Sequence, residues 1–435
     1  MAATVEFWGG VGVIGSSKVL ITEGDHRVLL DFGLDIPRGT DLFRPPVVPR
    51  QHRYLADRLR VGAAPRVPGV YDPAMIEPVD GMDTAPLAEE GPATAVFVSH
   101  AHIDHCGLVG TLRPGIEVHA APETVAVMRA LAKAGDGLPG GDPDWRGLAD
   151  STPVRFGPMT VERITVDHDV PGASGYLVTT SDGLLAFTGD IRFHGRAPER
   201  AWRLAERAAG CEMFVTEGTA LGLPVFPGPV RTEDDVVRDF ASALADARGD
   251  LVLLAMYPRD LERVAEFIEV AGAAGRQIVW GEAVAAFLRA LDVQGVLAYS
   301  EVGLEAIQAA PGDWVYQPDL RDLRGIPDLA DLPIGDRTVW LHANGEPLGP
   351  FESRWALFME WLDALGIPLR RIGSFGHATA DDLHTLVHRV APRTVVPIHT
   401  DAPERLHPVA GPTRLLPILA QPYDLGGHPI ERTWA

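Results

Sequence analysis

Between positions 99 and 107 the chain reads Ser99-His100-Ala101-His102-Ile103-Asp104-His105-Cys106-Gly107, with three imidazoles and a carboxylate inside six positions. Neutral imidazole and carboxylate are the ligands that Zn²⁺ and Mn²⁺ prefer. The apolar run Ala95-Val96-Phe97-Val98 directly before them has the composition of a strand, and a strand end followed by a turn can spread alternate side chains around one point. As ordinary core residues, four neighbouring polar groups would be costly to bury. The chemistry these residues suit is therefore that of a bound metal. One such cluster supplies at most four ligands, and a second ion needs more. Other strand-like runs end in the same residue types: TVERITV leads to Asp167-His168-Asp169, LLAFT to Gly189-Asp190, and RTVVPI to His399-Thr400. Singly each would read as a turn or cap residue; beside the first cluster they read as a ligand set.

The elements that must position these residues follow an α/β pattern. Strands are expected at 5–8, 19–22 and 27–31, with Gly9, Gly10, Gly12 and Gly15 marking the first turn. Neither GxGxxG nor GxxxxGK[ST] occurs, so these glycines make tight turns and not a phosphate cradle. Residues 36–93 hold ten prolines and few periodic runs, and an irregular, surface-running insertion is expected there. From 95 to 190 strand-like runs alternate with helix-like ones such as 123–134. Between 219 and 371 apolar residues recur at helical spacing: Val236, Phe240 and Leu244, then Leu261, Val264 and Ile268, then Trp355, Phe358 and Leu362. Strands at 251–255 and 338–341 lie between these helices, and the Pro-rich segment 221–230 reads as the entry linker.

A length of 435 residues suits two or three domains. With 46% hydrophobic and 22% charged residues the composition is that of a folded globular chain and excludes extended disorder. The formal charge, 38 − 59 = −21, excludes a broad cationic surface but leaves room for a local basic groove. Arg192, His194, Arg196, Arg200, Arg203 and Arg207 would form such a stretch, as phosphate contacts or as a solvated helix face. Cys106 and Cys211 are too few for a disulfide framework and point to a reducing compartment. The N-terminus lacks a basic segment followed by an apolar core, and no apolar run reaches the 18 or so residues of a membrane helix, so the cytoplasm is expected and no membrane.

The order HxHxDH, a later His, then Thr188-Gly189-Asp190 and a late His resembles the metallo-β-lactamase superfamily, as do the opening GGVGVIGSS and Leu30-Asp31-Phe32-Gly33. The 399 − 190 = 209 residues between Asp190 and His399 leave room for an insert. That insert is similar to the β-CASP domain of nucleic-acid-processing members: Phe214-Val215-Thr216-Glu217-Gly218-Thr219 resembles its first motif, Ser374-Phe375-Gly376-His377-Ala378 its second and His399 its third. Phe187 to Gly195 and Asn344-Gly345-Glu346-Pro347 resemble segments of the ribonuclease J-like branch.

The resemblance implies an α/β fold, an αββα sandwich with an inserted β-CASP-like α/β domain. Residues 1–218, with the insertion 36–93, and 372–435 would build the sandwich and 219–371 the insert. It further implies one metal held by His100, His102 and His168, a second by Asp104, His105 and His399, and Asp190 bridging them, with Asp31 supporting the ligand loop from behind. Two divalent ions are implied, zinc first and manganese second. Such a pair would lower the pKa of a shared water toward ~7 for attack on phosphorus. Asp104 would orient that water, His377 would contact the scissile phosphate, and Glu217 would orient His377. Ser374, Asn344, Glu346, Arg192 and His194 are the implied substrate contacts. The implied substrate is RNA, with single-stranded DNA beside it, and self-association into a homo-oligomer is compatible. Two other readings stand next to this one: hydrolysis of a small ester, lactone or phosphodiester, and a catalytically silent nucleic-acid-binding scaffold. Gly373 and Phe375 stand where ribonuclease J-like chains read His-x-Ser-Gly-His, which loosens the implied hold on a 5′ monophosphate and favours internal cleavage. His384 and His388 lack the HExxH pattern and read as a solvated face, and Cys106 as packing.

Overall fold

The computed structural model describes residues 2–34, 42–43, 47–78, 81–223, 230–321, 323–407 and 411–431. The chain divides into two compact units: Met1–Ala126, Leu138–Val225 and Gly376–Ala435 form the first, and Val127–Gly137 with Phe226–Phe375 the second. Most of the expected entry linker lies outside the described residues.

The first unit is built on two sheets. β1 (Thr4–Gly9), β2 (Lys18–Glu23), β3 (His26–Leu30), β4 (Ala93–Phe97), β5 (Glu117–Ala120) and β6 (Asp144–Gly147) follow one another across the first sheet. β7 (Pro153–Phe156), β8 (Met159–Thr165), β9 (Ser174–Thr180), β10 (Gly183–Phe187) and β11 (Met213–Glu217) make up most of the second. In β1 and β8 apolar and polar residues alternate, so Val5 and Phe7 of one sheet face Met159 and Val161 of the other across a shared core. Phe97 and Tyr176 meet edge to face at 5.7 Å in that core, and the Tyr176 hydroxyl donates to the Val98 carbonyl. Helices Pro198–Arg207 and Ala380–Val390 bury Leu204, Leu383 and Leu386 against the outer face of the second sheet. This is the sandwich that the motif order implies.

The second unit carries six parallel strands, β12 (Val252–Met256), β13 (Gln277–Trp280), β14 (Leu297–Ala298), β15 (Trp314–Gln317), β16 (Val339–Ala343) and β17 (Leu369–Arg371), in the order β14-β13-β15-β12-β16-β17. Its central strand reads VLLAM and is buried at every position, as a strand covered on both faces must be. Helices Glu233–Asp246, Leu261–Ala273 and Ser353–Ala364 carry the apolar spacing read from the sequence.

The chain then returns to the first unit as β18 (Thr394–Ile398), parallel to β11, followed by β19 (Thr413–Arg414) and β20 (Pro422–Tyr423) at the sheet edges. β19 pairs only with Thr394 and Val395, so Pro397, which has no N–H to donate, stands where β18 has lost that neighbour.

The Pro-rich insertion is more ordered than expected. Its described part contains the helix Tyr54–Val61, which buries Tyr54, Leu55 and Leu59, and Tyr71 is fully buried with its ring 5.7 Å from that of Phe32. Those apolar side chains anchor the segment between prolines that break it into short pieces.

Candidate metal centre

Five strands of the first unit end at one edge, and each carries polar residues at or just past its last paired position. β4 leads to His100–His105, β8 to Asp167–Asp169, β10 to Asp190, β11 ends on Glu217, and β18 leads to His399. The short helix Ile103–Cys106 turns Asp104 and His105 back toward the strand ends.

The side chains converge in two groups, His100, His102, His168 and Asp190 in one and Asp104, His105 and His399 in the other, and a third group, Asp190, His377 and His399, shares a member with each. His102 Nδ1 lies 3.0 Å from His100 Nε2 and 3.4 Å from His168 Nε2. Asp104 Oδ2 lies 3.0 Å from His399 Nε2 and 3.5 Å from His105 Nε2. Asp190 Oδ2 stands between the groups, 3.2 Å from His105, 3.6 Å from His399, 3.8 Å from His100 and 3.9 Å from His168. Metal–nitrogen bonds of about 2.0–2.1 Å around a tetrahedral ion put ligand atoms roughly 3.3 Å apart, which is the spacing found here.

The back sides of the rings are held by the protein. His105 Nδ1 is 2.7 Å from Asp31 Oδ2, His168 Nδ1 2.7 Å from the Gly376 carbonyl, His399 Nδ1 2.8 Å from the Thr219 hydroxyl, and His100 Nδ1 2.9 Å from the Ser99 hydroxyl. These four histidines therefore turn Nε2 inward, the arrangement that outer partners impose on metal ligands. His105 Nε2 and Asp190 Oδ1 are buried and make no hydrogen bond. Inward lone pairs and carboxylates this close call for a cation among them, so the residues present fit the divalent ions that the motif order implies.

The electrostatics agree. Burial pulls His100 well below the usual imidazole range and His102 down to about 4, which leaves both as neutral ligands at pH 7. Burial acts on His105 in the same direction, but Asp190, Asp104 and Asp31 outweigh it and hold His105 well above that range, so these carboxylates draw positive charge to this point, as a proton that a bound cation would displace. Asp104 and Asp190 stay ionised despite burial because His105 and His399 face them.

Asp31 occupies the supporting position that the resemblance implies. It is fully buried with φ of 60°, and accepts from the Ser99 N–H at 2.6 Å, the Ser99 hydroxyl at 2.8 Å and His105. The next turn, Phe32-Gly33-Leu34, pairs with the ligand loop through Phe32 N–H to His105 C=O and Leu34 N–H to Ile103 C=O. A Cβ at Gly33 would lie 1.6 Å from the Asp104 carbonyl oxygen, so only glycine permits this approach. Gly33→Ala should push Asp104 and His105 out of register, lowering stability by about 1–3 kcal/mol and metal content with it. Chemical denaturation and metal analysis of the variant check this.

His377 and Glu217 lie at the same centre. His377 Nδ1 is 3.2 Å from the Thr219 hydroxyl, 3.5 Å from Glu217 Oε1 and 3.6 Å from Asp190 Oδ2. Burial opposes the imidazolium, yet Glu217 and Asp190 prevail and raise His377 to about 9, so it carries a proton at neutral pH. Glu217 is 1% exposed and also accepts from the backbone N–H groups of Ala378 and Thr219, tying together the segments that carry these neighbours.

The remaining sequence expectations fall elsewhere. Ser374, Asn344 and Glu346 belong to the second unit. The Ser374 hydroxyl donates to Glu233 at 2.5 Å and accepts from Arg263, and the Ser374 carbonyl accepts from Asn344 Nδ2. Glu346 is exposed beside Arg354. A Cβ at Gly373 would meet Asn344 Oδ1 at 1.9 Å, so a side chain where the resembling motif has histidine requires Asn344 to swing aside. Arg192 is 1% exposed and bound to Asp167, which withdraws it from a substrate surface, and His194 is half-buried. Arg203 and Arg207 pair with Asp150 and Glu162, so these two members of the basic stretch serve the fold. Cys106 is buried and donates to the His102 carbonyl. His384 bonds the Ala380 carbonyl, and His388 is exposed.

Sequence reasoning gave no role to Asp169 or to the Thr219 side chain. His102 turns Nδ1 inward, unlike the other ligand histidines; its Nε2 lies 3.5 Å from Asp169 Oδ1, a buried oxygen with no hydrogen-bond partner that also lies 3.2 Å from His168 Nε2. The adjacency of Asp169 to His168 was the available signal. Asp169→Asn should weaken metal binding about 10–100-fold, as losing an outer carboxylate does, with the fold intact. Competition with a chelator of known affinity measures it.

Residues 73–228 match the model of the beta-lactamase superfamily domain. Over most of its length the chain is similar to ribonuclease J. It is 25% identical over 426 residues to the Mycolicibacterium smegmatis protein, covering 90% of this chain and 67% of that one. It is 21% identical to the Pyrococcus abyssi protein, covering 90% and 88%. Among solved structures, a protein of unknown function from Enterococcus faecalis V583 superposes with a TM-score of 0.80 at 26% identity, over 98% of this chain and 100% of that one.

Proposed function

We propose that this protein is a ribonuclease J-like hydrolase that cleaves RNA phosphodiester bonds with two divalent metal ions. The single observation that carries the reading is Asp190 Oδ2, placed within 4 Å of five histidines drawn from both ligand groups and from His377. The domain match and the ribonuclease J relatives support it. His100, His102 and His168 would hold one ion, Asp104, His105 and His399 the other, and Asp190 both. A His/Asp set suits zinc first and manganese second. Such ions supply an activated water at neutral pH and neutralise charge on a phosphate.

The protein groups do the rest. Asp104 orients the attacking water. His377, held protonated by Glu217, donates to a non-bridging phosphate oxygen and can pass its proton to the leaving oxygen. Residues 219–371 are read as the β-CASP-like insert of the sandwich formed by 1–218 and 372–435. Cys106 and Cys211 form no disulfide, which suits a reducing cytoplasm, and no helix among the described residues is long and apolar enough to cross a membrane. Single-stranded DNA is the second substrate of the same chemistry, since the choice between the two rests on contacts to the 2′-hydroxyl and not on the phosphodiester itself.

Gly373 and the engagement of Ser374 with Glu233 and Arg263 favour cleavage that ignores the 5′ end. One RNA carrying either a 5′ monophosphate or a 5′ hydroxyl tests this. Internal fragments from both are expected, whereas mononucleotides from the monophosphate alone would overturn the internal mode. Failure to cut either RNA while a small ester is hydrolysed would overturn the substrate class.

A further inference from the structure

The parallel sheet of the second unit reverses its winding between β12 and β15. β12 is hydrogen-bonded to β15 and β16; the chain leaving β12 crosses β15 to reach β13, whereas the chain leaving β15 crosses β12 to reach β16. In open α/β sheets a crevice forms at such a point beyond the carboxyl ends of the strands, and ligands bind there. Here the crevice is a cavity of about 100 Å³, lined by the residues that end these two strands and follow them, 255–259 and 317–321. Met256, Val284, Phe287, Leu320 and Trp340 form apolar walls.

Two polar atoms of the lining lack partners. Gln317 closes β15, is 7% exposed, and its Oε1 makes no hydrogen bond; Trp340 is 1% exposed, and neither does its Nε1. Unsatisfied groups of this kind cost stability unless something fills the site. The rim carries Arg259 and Arg321 against Asp136, Asp319 and Glu346. Arg321 is already committed to Asp319 through two bonds of 3.0 Å, so the rim does not invite a phosphate. An apolar cavity of about 150 Å³ takes a benzene ring, and this smaller one is open at its mouth, so a single ring can enter with its substituent outside.

We propose that this crevice is a binding site for a neutral single-ring heterocycle bearing an N–H group, a pyrimidine base, with Gln317 Oε1 accepting from that N–H. The base could come from a free nucleoside or from a nucleotide of an RNA chain; only the second source rests on the function proposed above.

Calorimetric titration of the full-length, metal-loaded protein with cytidine, with a short cytidine oligonucleotide and with inorganic phosphate tests the assignment. Saturable binding of cytidine or the oligonucleotide is expected, none of phosphate, and at least a tenfold loss in both Gln317→Leu and Ala283→Trp. Ala283 lines the crevice near the start of a helix and is only half-buried, so its variant guards against a folding defect in the other. Tighter binding of the oligonucleotide than of the nucleoside identifies RNA as the source, and the reverse identifies the nucleoside. Absence of saturable binding by both, or unchanged affinity in both variants, overturns the proposal. The isotherm should survive in Asp190→Ala protein, so loss of RNA cleavage and loss of this site are separable results.

Discussion

Asp190→Ala is expected to abolish hydrolysis, with a loss of roughly a thousandfold or more, and to reduce the metal content below two ions per chain. The reason lies in its position. Among the described residues Asp190 Oδ2 is the one carboxylate oxygen within 4 Å of members of both ligand groups, and the residue is 2% exposed. Removing it leaves the inward-facing His105 and His399 without their central counter-charge, and two ions would then repel one another across a gap. A factor of a thousand corresponds to about 4 kcal/mol of transition-state stabilisation, a modest demand on a residue shared by two ions. Rate and metal analysis must be read together: full metal content with normal activity would show that the bridge lies elsewhere.

The second large effect is expected at His377. His377→Ala should lower the rate about 10²–10⁴-fold, the range typical for loss of a positioned proton donor, while both ions are retained. Six other residues besides Asp190 would supply the ligand atoms in the proposed arrangement, and His377, which groups with Asp190 and His399, is held by Thr219 and Glu217. Glu217→Gln should produce a smaller loss in the same direction, because the glutamine keeps an oxygen for one of the Ala378 and Thr219 amides, which bond to different oxygens of Glu217, but gives up the charge that holds His377 protonated. Loss of metal in His377→Ala would instead make it a ligand.

How much of this was legible in the sequence depended on distance along the chain. His100, His102, Asp104 and His105 are local, and their density announces itself. Asp190 and His399 could be placed only because strand-like runs precede them and because the motif order resembles a known superfamily. The helices of the second unit were visible at Val236, Phe240 and Leu244 because burial on one face imposes a spacing. Asp169 escaped because its role depends on which nitrogen His102 turns inward, a rotamer choice with no signature in the sequence. Arg192 misled for the complementary reason: a basic residue after the Thr188-Gly189-Asp190 motif looks like a phosphate contact until Asp167, 25 positions earlier, is seen to hold it. The helix Tyr54–Val61 was hidden by the prolines around it.

The most direct test of the account is cleavage of an internally labelled single-stranded RNA by protein reconstituted with zinc or manganese, alongside metal-stripped protein and Asp190→Ala. The account predicts two ions per reconstituted chain, fragments from that protein alone, and restoration of cleavage when metal is returned to the stripped sample. Cleavage that persists in stripped protein and in Asp190→Ala would contradict it, as would an intact RNA in the presence of two bound ions.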